Sequence, residues 1–562
     1  MMNGQFMLID DIPVEINGEK NILEVVRKAG IDLPTLCYYS ELSVYGACRM
    51  CMVENKWGGM EASCSTPPKA NMEIYTNTPK LRKYRKMILE LLLADHCRDC
   101  TTCDKSGHCK LQELAERFGI RKVRFTNTSA KRAIDNSSVC IARDKSKCIL
   151  CGDCVRMCEE VQNVGAIDFV NRGSKMSVGT AFNVPLAETN CVGCGQCAAV
   201  CPTGAIIVKN DSQRLWKDIS DMETVVVVQI APAVRVGISQ ELGQKNDENV
   251  MGKIVSSLRK MGVDEIFDTS TGADLTVLEE TAEFLSRLEN NEKLPLFTSC
   301  CPAWVNYVEN TYPSLMKNVS SCRSPMQMFA SVIKQQYKDS NKRIVHVAIM
   351  PCTAKKYEAQ RDEFKENGVS NVDYVITTQE LIQMIKESGI VFSEILPEAV
   401  DMPFGVSSGA GVIFGVTGGV TEAVIRRVQE DKSTSALRAL AFNGVRGMRG
   451  VKEASITVGE RVIKIAVVSG LKNADELVKK LQKGEAQYDF VEVMACPGGC
   501  IGGAGQPFVK AKGKLKRGAL LYEADRMNSI RRSEGNPLMT SLYNGLLKDK
   551  LHKLLHVDYT KK

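Results

Sequence analysis

The sequence predicts a multidomain protein, α+β in front and α/β behind, and three observations carry that reading. At 562 residues the chain is too long for a single hydrophobic core. Its 23 cysteines fall in clusters, most of them before about residue 210. Beyond Val208, strand-like and helix-like patterns alternate, as in an α/β domain.

The composition is that of a globular protein, with 44% hydrophobic and 25% charged residues. No apolar run approaches the roughly 20 residues that cross a bilayer, so no membrane partner is expected. The acidic start (Asp10, Asp11, Glu15) does not read as an export signal, so a cytoplasmic location is expected. Cytosolic thiols stay reduced, which favours metal ligation over disulfides. The net charge of +7 counts every thiol as neutral, and metal-bound thiolates would lower it. No basic-aromatic interleaving points to nucleic acid. The basic run at 80–86 reads equally as a solvated helix face or as a patch that steers an acidic partner.

In chain order, residues 1–79 open with an alternating stretch (Phe6, Leu8, Ile9, Val14, Ile16) and a helix pattern at 22–29 closed by Gly30. Cys37, Cys48, Cys51 and Cys64 follow in a spacing that suits a 2Fe–2S cluster, with zinc as the alternative. Residues 80–127 pair a helical run at 81–95 with His96, Cys100, Cys103 and Cys109, a Cys3His set that fits zinc or a cluster. Cys97 and His108 fall between them without an assigned role. Residues 128–210 hold two copies of C-x2-C-x2-C-x3-C, Cys148, Cys151, Cys154, Cys158 and Cys191, Cys194, Cys197, Cys201. In this pattern the fourth cysteine crosses to the other cubane. The sets are therefore Cys148, Cys151, Cys154, Cys201 and Cys158, Cys191, Cys194, Cys197; Cys140 reads as a buried thiol.

Residues 211–562 begin with a buried strand at 225–228, then a helix at 250–261 and strands at 345–350, 462–468 and 490–494. Two glycine-rich stretches, 408–411 and 415–419, fit no phosphate-loop fingerprint, so close backbone packing is expected. The last 45 or so residues read as a Lys- and Leu-rich helix.

Three segments then carry a family resemblance: Thr298-Ser299-Cys300-Cys301-Pro302-Ala303-Trp304, Met350-Pro351-Cys352 running to Lys355 and Glu358, and Glu492 to Cys500 with its glycine-rich tail. They resemble the signatures of iron-only (FeFe) hydrogenases of the monomeric clostridial type, and the order of the cysteine groups extends that likeness to the whole chain. The front segments resemble a β-grasp 2Fe–2S domain and the His-ligated 4Fe–4S module of complex I-type subunits. The resemblance implies a two-lobed catalytic domain and an anaerobic redox enzyme that interconverts protons, electrons and H2. Its H-cluster, a 4Fe–4S cubane joined to a diiron unit with CO, cyanide and a dithiolate bridge, would be held by Cys301, Cys352, Cys496 and Cys500. Cys500 would be the bridge. Three 4Fe–4S clusters and one 2Fe–2S cluster would carry electrons from or to ferredoxin or flavodoxin, and maturation factors would load the H-cluster.

These assignments use 19 of the 23 cysteines, leaving Cys97, Cys140, Cys300 and Cys322. The resemblance makes Cys300 the proton donor and acceptor, continued by Glu280, Ser320, Glu283 and Arg287. It gives Lys355 a hydrogen bond to cyanide, with Glu358 holding the lysine, and lines the pocket with Ala231, Pro232, Ser324, Met350 and Met494. Glu280, Glu283 and Arg287 share one helix stripe, which would ordinarily be a solvated face. Here Leu275, Leu278, Ala282 and Leu285 line the opposite side and Val277, Phe284 and Leu288 flank the charges, so burial on more than one side is expected. Met326, Ala354, Thr421 and Ala504 depart from common family residues. The rival readings are an iron–sulfur assembly protein, a complex I-like electron carrier and a hydrogen sensor.

Overall fold

Four consecutive valines sit inside the strand Thr224–Ile230. β-branched residues at every position suit a strand covered on both faces, the setting of a parallel sheet. In the computed structural model, which describes residues 5–126, 133–243, 250–429, 445–458 and 461–559, this strand lies in an all-parallel sheet of order Glu265–Asp268, Thr224–Ile230, Arg343–Met350, Tyr374–Thr377. Helices Val250–Met261, Pro325–Gln336 and Thr378–Glu387 contribute to its core. A second sheet runs Leu296–Phe297, Phe490–Met494, Arg461–Ser469, Val451–Val458. Its first three strands are parallel and the last closes an antiparallel hairpin.

The chain divides into two units. One comprises Met1–Val161, Gly165–Thr189 and Val200–Ile207; the other comprises Gln162–Val164, Asn190–Ala199 and Val208–Lys562. Both sheets above belong to the second unit. The segment 128–210 is therefore shared, with the Cys191–Cys197 loop in the second unit and Cys148 to Cys158 in the first.

In the first unit a five-stranded sheet has the order Ile12–Glu15, Phe6–Ile9, Glu73–Tyr75, Met52–Asn55, Met60–Ala62. The helix Ile22–Lys28 packs on it through Ile22, Leu23, Val25 and Val26, capped by the Asn21 side chain and followed by Gly30 at φ +81°. Pro79–Ala94 forms the next helix, with Thr78 as its N-cap. The basic run on it is not uniform. Lys80, Arg82, Lys83 and Lys86 are exposed, whereas Arg85 is buried and donates to the carbonyls of Met50, Met52 and Thr76.

The glycine-rich stretches meet the expectation of close packing. A Cβ on Gly411 would stand 2.4 Å from the Ser270 carbonyl oxygen, and one on Gly419 would stand 1.8 Å from that of Ile413. The C-terminal segment departs from the single helix expected. It forms three helices, Ala511–Met527, Pro537–Asn544 and Leu551–Leu555. Pro537 and Gly545 punctuate it, which the Lys/Leu composition does not register. No described helix is long and apolar enough to cross a membrane.

Candidate active site

Cysteine-bearing loops leave the C-terminal ends of parallel strands in both sheets of the second unit, where α/β folds place their ligand sites. Cys300 and Cys301 follow Leu296–Phe297, Cys352 follows Arg343–Met350, and Cys496 follows Phe490–Met494. Ala231 and Pro232 follow Thr224–Ile230 in the same way. These loops and Cys500 line a cavity whose other walls include Met326, Met350, Met494, Lys355 and Phe414. Gly499 lets the last loop close. It sits at φ +88°, and a Cβ there would lie 2.5 Å from the Thr417 backbone nitrogen.

The donor set fits a multivalent metal group. Burial raises all four thiols, Cys352 to about 11, and their mutual charges add to it at Cys352, Cys496 and Cys500. Such a set cannot ionise together without a strong positive partner. Backbone and side-chain donors already point at the sulfurs: Ala495 N–H to Cys301 Sγ at 3.4 Å, and Gln196 Nε2 to Cys496 Sγ at 3.2 Å. Gln196 sits inside a ferredoxin motif, where spacing alone reports only cysteines.

Lys355 lies at the cavity wall, with Nζ 2.7 Å from Glu358 Oε2 and 3.3 Å from the Cys300 carbonyl. Burial opposes its charge, but Glu358 and the thiols Cys352 and Cys300 outweigh that and raise it above the usual lysine value. Ser324 is fully buried and caps the helix Pro325–Gln336, whose first two residues, Pro325 and Met326, line the cavity. Of the other departures, Thr421 donates through Oγ1 to Glu492 at 2.8 Å, and Glu492 also accepts from the N–H groups of Gly418 and Thr421. Glu492 was legible only as an acid inside an otherwise apolar strand. Ala504 and Ala354 are fully buried, and a Cβ on Gly195 would meet that of Ala504 at 2.9 Å.

The charged stripe belongs to the helix Ser270–Asn290, buried on all sides from Ser270 to Thr281. From Ala282 one face opens: Ala282 is exposed and Leu285 half-buried, so the expected apolar backing stops a turn early. Glu280 is wholly buried, and neither carboxylate oxygen has a hydrogen-bond partner among the described residues. Desolvation, then the charge of Glu283, pushes its pKa up to about 8. Glu283 accepts from Ser320 Oγ at 2.9 Å and pairs with Arg287 at 2.5 Å. Arg287 is anchored on the carbonyls of Asn318 and Val319. Cys300 lines the cavity and feels the Glu280 charge, which together with burial holds its thiol well above the usual value. Of the five residues of the implied relay, Ser320, Glu283 and Arg287 are joined by hydrogen bonds, and Cys300 lines the cavity.

Residues 224–504 match the family described as iron only hydrogenase large subunit, C-terminal domain, and residues 511–562 match iron hydrogenase small subunit. The NADP-reducing hydrogenase subunit HndD of Solidesulfovibrio fructosivorans is 42% identical, with 99% of this chain and 98% of the relative covered. The chain belongs to the iron-only hydrogenase family. Iron hydrogenase 1 of Clostridium pasteurianum is 34% identical over 99% of this chain and 100% of its own. A solved [FeFe]-hydrogenase from Chlamydomonas reinhardtii is 37% identical with a TM-score of 0.53, over 62% of this chain and 99% of its own.

This hydrogenase also carries iron–sulfur domains in front. Residues 7–79 match a 2Fe-2S iron-sulfur cluster binding domain, residues 85–124 the NADH-ubiquinone oxidoreductase-G iron-sulfur binding region, and residues 147–205 a 4Fe-4S dicluster domain. The residues fit such groups. No disulfide joins the described cysteines. The thiols of Cys37 and Cys48, and of Cys51 and Cys64, touch pairwise. His96 Nε2 is buried with no hydrogen-bond partner, the state of a ring nitrogen awaiting a metal. Cys148, Cys151, Cys154 and Cys201 line one cavity, as the crossed pairing of the two motifs requires. Cys140 is buried, Cys97 half-buried and His108 exposed.

Proposed function

We propose that this hydrogenase holds an H-cluster on Cys301, Cys352, Cys496 and Cys500, with Cys500 as the bridge to the diiron unit, and runs 2 H⁺ + 2 e⁻ ⇌ H₂ in both directions. The observation that carries the reading is the convergence of those four thiols, from three strand ends, on one apolar cavity that also presents Cys300. When bound, the group supplies the redox metal chemistry; the chain's residues orient it, exclude water and move protons. Met326, Met350, Met494, Ala231 and Pro232 keep the cavity dry, which strengthens the few polar contacts inside it. Lys355, held cationic by Glu358, would donate a hydrogen bond to a cyanide ligand of the bound group. Cys300 exchanges a proton with the cavity, Glu280 takes it up, Ser320 passes it on, and Glu283 with Arg287 delivers it to water.

Four domains serve this chemistry: a β-grasp 2Fe–2S domain at 1–79, a His/Cys3 4Fe–4S domain at 80–127, a two-cluster domain at 128–210 and the H-cluster domain at 211–562. They carry one 2Fe–2S and three 4Fe–4S clusters. We place the protein in the cytoplasm as a monomer that is matured by assembly factors and exchanges electrons with ferredoxin or flavodoxin. The relative named as an NADP-reducing hydrogenase subunit favours a second reading of the partner, electron exchange within a nicotinamide-linked complex.

The test is anaerobic expression with the maturation factors, followed by H2 measurement with reduced viologen, with reduced ferredoxin and with NADPH. Evolution with viologen and ferredoxin is expected. No H2 from any donor would defeat the catalytic reading, and NADPH-driven evolution in the presence of partner subunits alone would favour the second partner.

A further inference from the structure

Beside the relay, and sharing Glu283 with it, lies a group of side chains whose other two members the proposed reaction does not use. A carboxylate oxygen of Glu283, Cys322 Sγ and a ring nitrogen of His556 all lie within 4.8 Å of one another. Three different elements bring them together: the long helix Ser270–Asn290, the turn after Ser320, and the end of the C-terminal helix Leu551–Leu555. An antiparallel bridge between Cys322 and His556 fixes the last two against each other. Cys322 is fully buried, and its Sγ stands 3.8 Å from Glu283 Oε2. His556 donates or accepts at 2.9 Å with Ser321 Oγ and lies 3.0 Å from Glu279 Oε2, so a second carboxylate backs the ring. The side chains of Glu283 and His556 retain 13% and 10% of their exposure, so the group is not sealed from solvent.

Thiolate, imidazole and carboxylate on one face form a borderline-soft donor set that suits Zn²⁺ and leaves a fourth position for water. Ligands about 2.0–2.3 Å from zinc in a tetrahedron stand roughly 3.3–3.8 Å apart. The sulfur–carboxylate separation already meets that, and His556, both of whose ring nitrogens are hydrogen-bonded, gives up one of those contacts to complete the set. We propose that Glu283, Cys322 and His556 form a zinc site that shuts the proton relay when it is filled. Binding replaces the thiol proton of Cys322, which leaves to water, and takes the Glu283 carboxylate away from Ser320 and Arg287. This rests on the relay reading of Glu283. The C-terminal segment thereby acquires a role at the proton exit that its composition does not announce.

The matured hydrogenase titrated with ZnCl2 during viologen-driven H2 evolution tests this, with zinc X-ray absorption on the washed protein as the second readout. Turnover should fall at least tenfold at saturation and recover with EDTA. The zinc spectrum should show one sulfur at about 2.3 Å. Cys322→Ala and His556→Ala, each compared with its own uninhibited rate, should raise the half-inhibitory zinc concentration at least tenfold, and Cys322→Ala should abolish the sulfur signal. Unchanged sensitivity in both variants, or a sulfur signal that survives Cys322→Ala, would overturn the site. Sulfur-ligated zinc lost in Cys322→Ala but without effect on turnover would keep the site and overturn the relay.

Discussion

Cys300→Ala lowers H2 turnover by a factor on the order of 10²–10⁴ while leaving the cluster complement intact, the range that a single proton-transfer group contributes. The reason is positional. Cys300 faces the cavity beside Cys301, yet the four converging ligands leave it spare. Its thiol is held protonated by burial. Alanine removes the proton and nothing that supports the fold, because Cys300 contributes its carbonyl, not its sulfur, to the contact with Lys355. Viologen assays at matched iron content measure the loss. Full activity in this variant would remove Cys300 from the reaction.

Glu280→Gln separates catalysis from stability. Turnover falls by about 10²-fold or more, since an amide cannot pass a proton as a carboxyl does. Stability moves the other way with pH. The folded-state value of about 8 stands above the ordinary 4.5 because burial disfavours the charge. Below pH 4.5 both folded and unfolded states hold the proton, and the fold has its full stability. Between 4.5 and 8 only the folded state retains it, so stability declines as pH rises through that window. Gln cannot ionise and is spared this decline. Thermal melts should therefore show the variant gaining on the parent protein from pH 5 to pH 8. A difference that stays flat, or reverses, would mean that Glu280 is not the buried neutral carboxyl described.

How much of this was legible in the sequence follows from which forces act locally. The strands at 225–228 and 490–494 announced themselves because a covered parallel strand is a mainly apolar run, interrupted in the second only by Glu492, and both appear where expected. The metal donors were legible because cluster ligation fixes cysteine spacing along the chain. Contacts that close in space left no such trace. Gln196 reaches Cys496 across 300 positions, and His556 reaches Glu279 across 277. The cap that Ser324 provides left no trace either, because a Ser-Pro step reads the same whether its hydroxyl caps a helix or faces a ligand. The C-terminal segment misled for a related reason, since a Lys/Leu composition reports helix propensity but not where packing breaks the helix.

The infrared spectrum of the matured, anaerobically purified protein tests the central claim most directly. Bound CO and cyanide should give their stretching bands, and Cys500→Ser should lose them while the accessory clusters keep their electron paramagnetic resonance signals. A matured protein with intact accessory signals and no such bands, or a Cys500→Ser variant that retains them, would contradict the assignment of this cavity.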